Sequence, residues 1–261
     1  TLGARRTDDD PPPYAYRSLD HRTGILTVRS FGAPEEAFED FLDTTFDQIR
    51  RDGTGHLLID VRDNTGGQSG RAEELLRYLA SSSFALTDTV AVRASEPFKS
   101  HMKQTRLPAV VRWLPVQYLD GQGRAVWEAR EGTVVSWSGE RVSPHDADER
   151  FDGRVSVLVN EGTFSAGTLF AAAVKKLEIG VLVGRETGGP AGVMFAENVP
   201  TQLPNSRLWL QVSAMRFQFG DKLPDWPARG VRPDHRVPRD LPARAGGADP
   251  ILERAKVIDD S

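Results

Sequence analysis

The stretch Val155-Ser156-Val157-Leu158-Val159-Asn160-Glu161-Gly162-Thr163-Phe164-Ser165-Ala166-Gly167-Thr168-Leu169 decides how this chain is read. Its first five residues, bounded by Gly153 and Asn160, are short and β-branched and have the pattern of a buried strand. The Ala-rich residues 169–177 that follow read as a helix. Ser165 thus falls on a strand-to-helix elbow, beside N–H groups with no intrahelical partner and at the positive end of the helix dipole. Two roles fit a serine there. It can cap the helix through its hydroxyl, or it can be a nucleophile whose oxyanion product the helix end stabilises. The second role also needs a base.

Working outward, strands and helices alternate. Residues 25–31 read as a strand, and Pro34 opens a helix whose apolar Phe38, Phe41, Leu42, Phe46 and Ile49 recur at three- and four-residue steps. Leu57-Leu58-Ile59-Asp60-Val61 is the run expected of a strand buried on both faces of a mainly parallel sheet. A helix follows over 72–79. Beyond Ser165 the pattern predicts a strand at 180–183, a turn at Thr187-Gly188-Gly189, a strand at 208–212 and a closing helix with Asp249 as its cap and Pro250 in its first turn. This order is that of α/β crossover units. Residues 1–15, with Asp8-Asp9-Asp10 before Pro11-Pro12-Pro13, read as a flexible arm. Residues 93–152, carrying Pro97, Pro108, Pro115 and the tryptophans at 113, 127 and 137, read as an inserted lid or side arm. The catalytic core is then 16–92 and 153–261.

The 261 residues suffice for one large core or two smaller ones, and 39% hydrophobic with 27% charged residues is the balance of a soluble domain. A net charge of −4 without a Lys/Arg block argues against a nucleic-acid partner. No apolar run approaches membrane-spanning length, and the start at Thr1 shows no signal segment. The lack of cysteine removes disulfides, thiol nucleophiles and thiolate zinc sites, and is compatible with an extracytoplasmic location without fixing one. The histidines at 21, 56, 101, 145 and 235 have no metal-type spacing, so neither a metal nor an organic cofactor is expected.

A second stretch, Asp60-Val61-Arg62-Asp63-Asn64-Thr65-Gly66-Gly67, runs from a strand into two glycines ahead of a helix. Bare backbone there lets N–H groups approach a ligand closely, although a tight turn alone would also explain the glycines. Together the blocks 57–62 with Asn64 and Gly66-Gly67, 163–167, 183–187 with Gly189, 230–234 and 249–252 resemble, in family order, the tail-specific (C-terminal processing) serine proteases and the tricorn protease core. The resemblance spans residues 16 to 258. It implies a crotonase-like α/β core with Ser165 as nucleophile, and an oxyanion hole formed by N–H groups of Ala166 and of Gly66 or Gly67.

One departure bears on the base. The larger branch of that family uses a lysine 25 positions after the serine, and here that position is Pro190, whose ring neither accepts nor donates a proton. Lys175 and Lys176 lie on the serine's own helix and read as solvated charges. The tricorn-like branch implies instead a histidine before the first core strand and a carboxylate before the Gly-Val-x-Pro-Asp block, matched with small gaps by His21 and Asp225. An imidazole titrating near ~6.5, oriented by a carboxylate, completes a triad. Glu186 and Glu197 are further carboxylates near the turn. The expectation is a serine peptidase acting on a peptide or other acyl substrate through Ser165. Two alternatives stand beside it: a non-catalytic ligand-binding module on the same fold, and an esterase or acyl-transfer enzyme. The peptide-binding PDZ module usual in the family is not visible.

Overall fold

The computed structural model describes residues 12–106, 121–219, 229–240 and 246–258. The chain divides into two compact units, one drawn from 1–84, 142–191 and 222–261, the other from 85–141 and 192–221. The second unit is therefore built from two segments, whereas the sequence suggested the single insertion 93–152.

The first unit holds a six-stranded sheet. Its strands are β1 (Tyr14–Ser18), β2 (Thr23–Val28), β3 (His56–Asp60), β6 (Arg154–Val159), β7 (Val181–Gly184) and β10 (His235–Arg236), in that spatial order. Only β1 runs antiparallel; the other pairings are parallel. Tyr14 and Ala15, expected in the flexible arm, belong to β1 and pair with Val28 and Thr27. Successive side chains leave a strand on opposite faces. Ile25, Leu58, Leu158 and Val183 form one layer with Ile251 and Ala255 of the closing helix α6 (Pro250–Lys256). Helices α1 (Glu35–Arg51), α2 (Ser69–Arg77) and α5 (Ala166–Lys176) connect the strands. Phe31 packs against Phe38 of α1 and Phe170 of α5. Burial at every position of β3 explains its unbroken apolar run.

The second unit is a four-stranded antiparallel sheet, in the order β5 (Val134–Ser138), β4 (Thr89–Arg93), β9 (Trp209–Gln218), β8 (Val193–Gln202). Helices α3 (Glu96–Arg106) and α4 (Gly121–Glu128) complete it. Phe98, Met102 and Val126 of these helices share a core with Val90, Val92, Val199 and Met215, and Trp127 and Trp137 pack against it. Trp113 lies outside the described residues. No helix of the described residues is long and apolar enough to cross a membrane.

Arg62 ties the C-terminal end of β3 to α6. Its guanidinium grips the buried Asp60 carboxylate through two hydrogen bonds, of 2.9 and 2.7 Å, and gives a third of 2.7 Å to Asp249, whose carboxylate also accepts from the Leu252 N–H as helix cap. Burial alone would raise the Asp249 pKa, but these bonds and the Arg62 charge outweigh it and hold the group below the usual carboxylate range. A depressed folded-state pKa contributes stability above the unfolded value of about 3.9, and that contribution is lost as pH falls through the folded value. Asp249→Asn keeps the capping oxygen and removes the charge. It should lower Tm by about 2 °C at pH 7, a modest figure because the pair is partly solvated. Melts from pH 7 downward should show the gap to wild type steady above the unfolded value of about 3.9 and closing as pH falls below it.

Candidate active site

Strand β6 ends at Asn160, and residues 161–165 carry the chain to the first turn of α5. Ser165 sits just before that helix with φ 49° and ψ −124°, and its side chain makes no capping hydrogen bond. The capping role is thereby excluded. This backbone region crowds Cβ against the main chain and costs about 1–3 kcal/mol, a conformation that persists only where its surroundings enforce it. A serine strained on a strand-to-helix turn presents its hydroxyl off the end of the sheet, as a nucleophile elbow does.

Three polar residues do the enforcing. Asn160 Oδ1 accepts from the N–H groups of Gly162 and Asp63, and its Nδ2 donates to Asp63 Oδ1. The Thr163 hydroxyl donates to Val61 O, while Thr163 O accepts from Gly188 N, Gly189 N and the Thr168 hydroxyl. Asn64, fully buried, donates from Nδ2 to Val28 O, and its own carbonyl accepts from Phe164 N. The serine loop, the glycine turn after β3 and the turn 187–190 are thus locked together. Sequence reading quoted Asn64 and Thr163 within motif blocks but gave neither they nor Asn160 this task. The available signal was the asparagine closing a strand two residues before a glycine, the signature of an Asx turn.

The glycine turn abuts the serine. A Cβ placed on Gly66, at φ 104°, would lie 2.4 Å from Ser165 Cβ, 2.9 Å from its Oγ and 3.1 Å from Ala166 N. The Gly66 N–H donates 2.8 Å to Asn64 Oδ1 and so is already engaged. The N–H groups of exposed Gly67 and of Ala166 have no acceptor among the described residues. Of the two glycines named for the oxyanion hole, Gly67 therefore has the available donor, with Gly66 packed beneath the nucleophile.

Ser165 Oγ has no hydrogen-bond partner among the described residues. His21 does not supply one within this unit. It lies in the turn before β2, on the row where Thr23, His56 and Arg154 begin their parallel strands, whereas Ser165 lies beyond the opposite ends of those strands. The six residues of β6, at about 3.3 Å each, separate the two edges. The expected base is corrected on this ground. Asp225 lies outside the described residues. Buried His56 bonds Ser156 Oγ at 2.9 Å and Arg154 at the same remote edge, and His145 bonds Glu74 at 2.6 Å. His235 sits in β10, two strands from β6, and His101 is on α3 of the second unit. Half-buried Pro190 closes the turn beside the serine, since a Cβ on Gly189 would lie 3.3 Å from Ser165 N. Lys175, read as solvated, instead bonds Asp234 at 2.7 Å and Arg232 O at 2.9 Å, tying α5 to the loop before β10. Glu186 accepts from Gly230 N. Burial would raise Glu161, but hydrogen bonds from its own N–H and from Arg185, with the charges of Arg185 and Arg239, hold it below the usual carboxylate range. No group of three or more metal-ligating side chains occurs among the described residues.

The family model described as Peptidase family S41 matches residues 22–237. The chain belongs to peptidase family S41. Several solved structures share the fold. A candidate peptidase from Parabacteroides merdae is 21% identical with a TM-score of 0.58, over 94% of this chain and 63% of its own. Mature CPAF complexed with lactacystin is 18% identical with a TM-score of 0.60, over 90% of this chain and 50% of its own. The photosystem II D1 C-terminal processing protease is 18% identical with a TM-score of 0.52, over 94% of this chain and 55% of its own. This S41 chain thus spans between half and just under two thirds of the length of these structures. No curated protein matches it. Within the S41 match lie Ser165, both glycines of the turn and Pro190.

Proposed function

We propose that the chain is the catalytic part of a serine peptidase on a crotonase-like core, cleaving peptide bonds through an acyl-enzyme on Ser165. The observation that carries this reading is the strained, uncapped serine at the N-terminus of α5. Attack by Oγ on a carbonyl places negative charge on the carbonyl oxygen. The Ala166 and Gly67 N–H groups then serve as donors that meet this charge as it develops, which is where such groups act most strongly. Collapse of this intermediate breaks the C–N bond and expels the amine, which takes up the proton given up by Oγ; water then hydrolyses the ester to a carboxylate and free Ser165. Pro190 rules out a lysine at the position used by the larger branch of the family, so a general base must come from a different group. Bonds of this kind often tighten only with substrate present.

The Ser165 hydroxyl, unpartnered among the described residues, and Pro190 also suit a second reading, a ligand-binding module that has lost its chemistry. A fluorophosphonate probe separates the two. A stoichiometric adduct on Ser165, absent in Ser165→Ala and retained in His21→Ala, is the expected result. An unlabelled wild-type protein would leave the binding module.

A further inference from the structure

Arginines gather around a cavity beside the serine loop, although the chain as a whole carries a net charge of −4. The cavity, of about 470 Å³, is lined by Glu161, Arg185, Glu186, Arg229, Arg232, Pro233 and Arg236. Four guanidiniums face two carboxylates there, and both carboxylates are engaged. Glu161 is held by Arg185 at 2.9 Å and by Arg239 at 3.3 Å, and Glu186 accepts from Gly230 N at 3.1 Å. Arg229 and Arg236 have no side-chain partner among the described residues. The excess positive charge is therefore offered to the cavity.

The cavity is bounded by the start of the loop that carries the reacting group and by the turn packed against that loop. Glu161 opens the loop that ends in Ser165. Glu186 leads into the turn whose Gly188 and Gly189 N–H groups bond Thr163 O in that same loop. A Cβ on Gly188 would lie 2.2 Å from Glu161 O, so the two walls are in contact. An extended peptide advances about 3.3 Å per residue, so a substrate with its scissile carbonyl at Ser165 that runs along the loop 161–165 would place a residue a few positions away at this cavity. Guanidinium is suited to carboxylate because its planar donors match the two oxygens.

We infer that this cavity is a substrate subsite for a carboxylate carried close to the scissile bond, with Arg229 and Arg236 as its specificity-determining residues. The inference rests on the peptidase reading for the position of the scissile bond. The carboxylate belongs either to an Asp or Glu side chain or to the free C-terminus of the peptide. Both sources present the same group to the arginines.

The test uses end-blocked fluorogenic peptides in which a single Glu or Gln is moved through the positions flanking the cleaved bond. A neutral peptide with a free or amidated C-terminus forms the second arm. Wild type should favour Glu at one position, or the free C-terminus, by about 10- to 100-fold in kcat/KM, a preference that shrinks as salt is raised. Arg229→Gln and Arg236→Gln should each reduce that ratio about tenfold, and Arg236→Glu should turn it toward a Lys-containing peptide. Fluorescence anisotropy of the same peptides on Ser165→Ala, with and without Arg236→Gln, reads binding without turnover. No preference in either arm, or one unaffected by the arginine variants, overturns the subsite. Absent turnover together with an unlabelled Ser165 overturns the peptidase reading, and the binding measurement still decides the cavity.

Discussion

Ser165→Ala should lower turnover of a peptide substrate by at least about 10⁴-fold, leaving what binding and the oxyanion hole supply on their own. Stability should hardly change, within about 0.5 kcal/mol, because the hydroxyl makes no hydrogen bond among the described residues that the substitution would break. The strain at this position gives a sharper companion variant. Ser165→Gly removes the same nucleophile and relieves the φ of 49°, so it should be more stable than wild type by about 1–2 kcal/mol while equally inactive. Denaturant midpoints and single-turnover assays on the pair check both halves. A Ser165→Ala protein with unchanged turnover would remove the proposed chemistry.

The second large effect is expected at Gly66. Gly66→Ala puts a methyl group against Ser165 Cβ and Ala166 N at a backbone φ that an alanine rarely adopts. The serine loop must shift, and a displacement near 1 Å at a nucleophile costs about 10²-fold or more. A fall in kcat of about 10²–10³-fold is expected, with a loss of stability of about 1–3 kcal/mol. Gly67 is a poorer probe. A Cβ there meets the Phe31 backbone carbon at 2.2 Å, and φ 139° is far from the roughly −65° that proline requires. Substitution at Gly67 thus disturbs the fold and the donor together. Circular dichroism alongside the rate of fluorophosphonate labelling shows whether Gly66→Ala acts on the site or on the whole fold.

What the sequence disclosed was what local patterns encode. The buried β3 and β6 announce themselves as apolar runs, α1 by its three- and four-residue periodicity, and α6 by the Asp249-Pro250 start that the structure bears out. β1 escaped notice because its residues are half-buried or exposed on an edge strand directly after a proline run. β8 escaped because an outer strand with Pro200 and only two of its ten positions buried keeps little alternation. The same division holds at the site. Ser165 and the glycine turn were legible, since a short segment contains all that shapes them. His21 was misplaced because the end of the sheet that a turn occupies depends on strand direction, which only the parallel pairing of β2 and β3 reveals.

The interleaving of the two units also bears on how the chain reaches its native state. Pairing His56 with Arg154 closes a loop of nearly a hundred residues, and pairing Thr89 with Gln218 closes a longer one that contains β6 and β7. Closing such loops is entropically costly, and non-local pairing slows folding. The β8–β9 hairpin and the β4–β5 pair need much shorter closures and can form first. Each segment so condensed shortens the span that remains to be bridged. Assembly of either sheet thereby lowers the entropic barrier to the other, and the elbow of Ser165, which hangs on contacts from the ends of β3 and β6, needs those two strands to be paired.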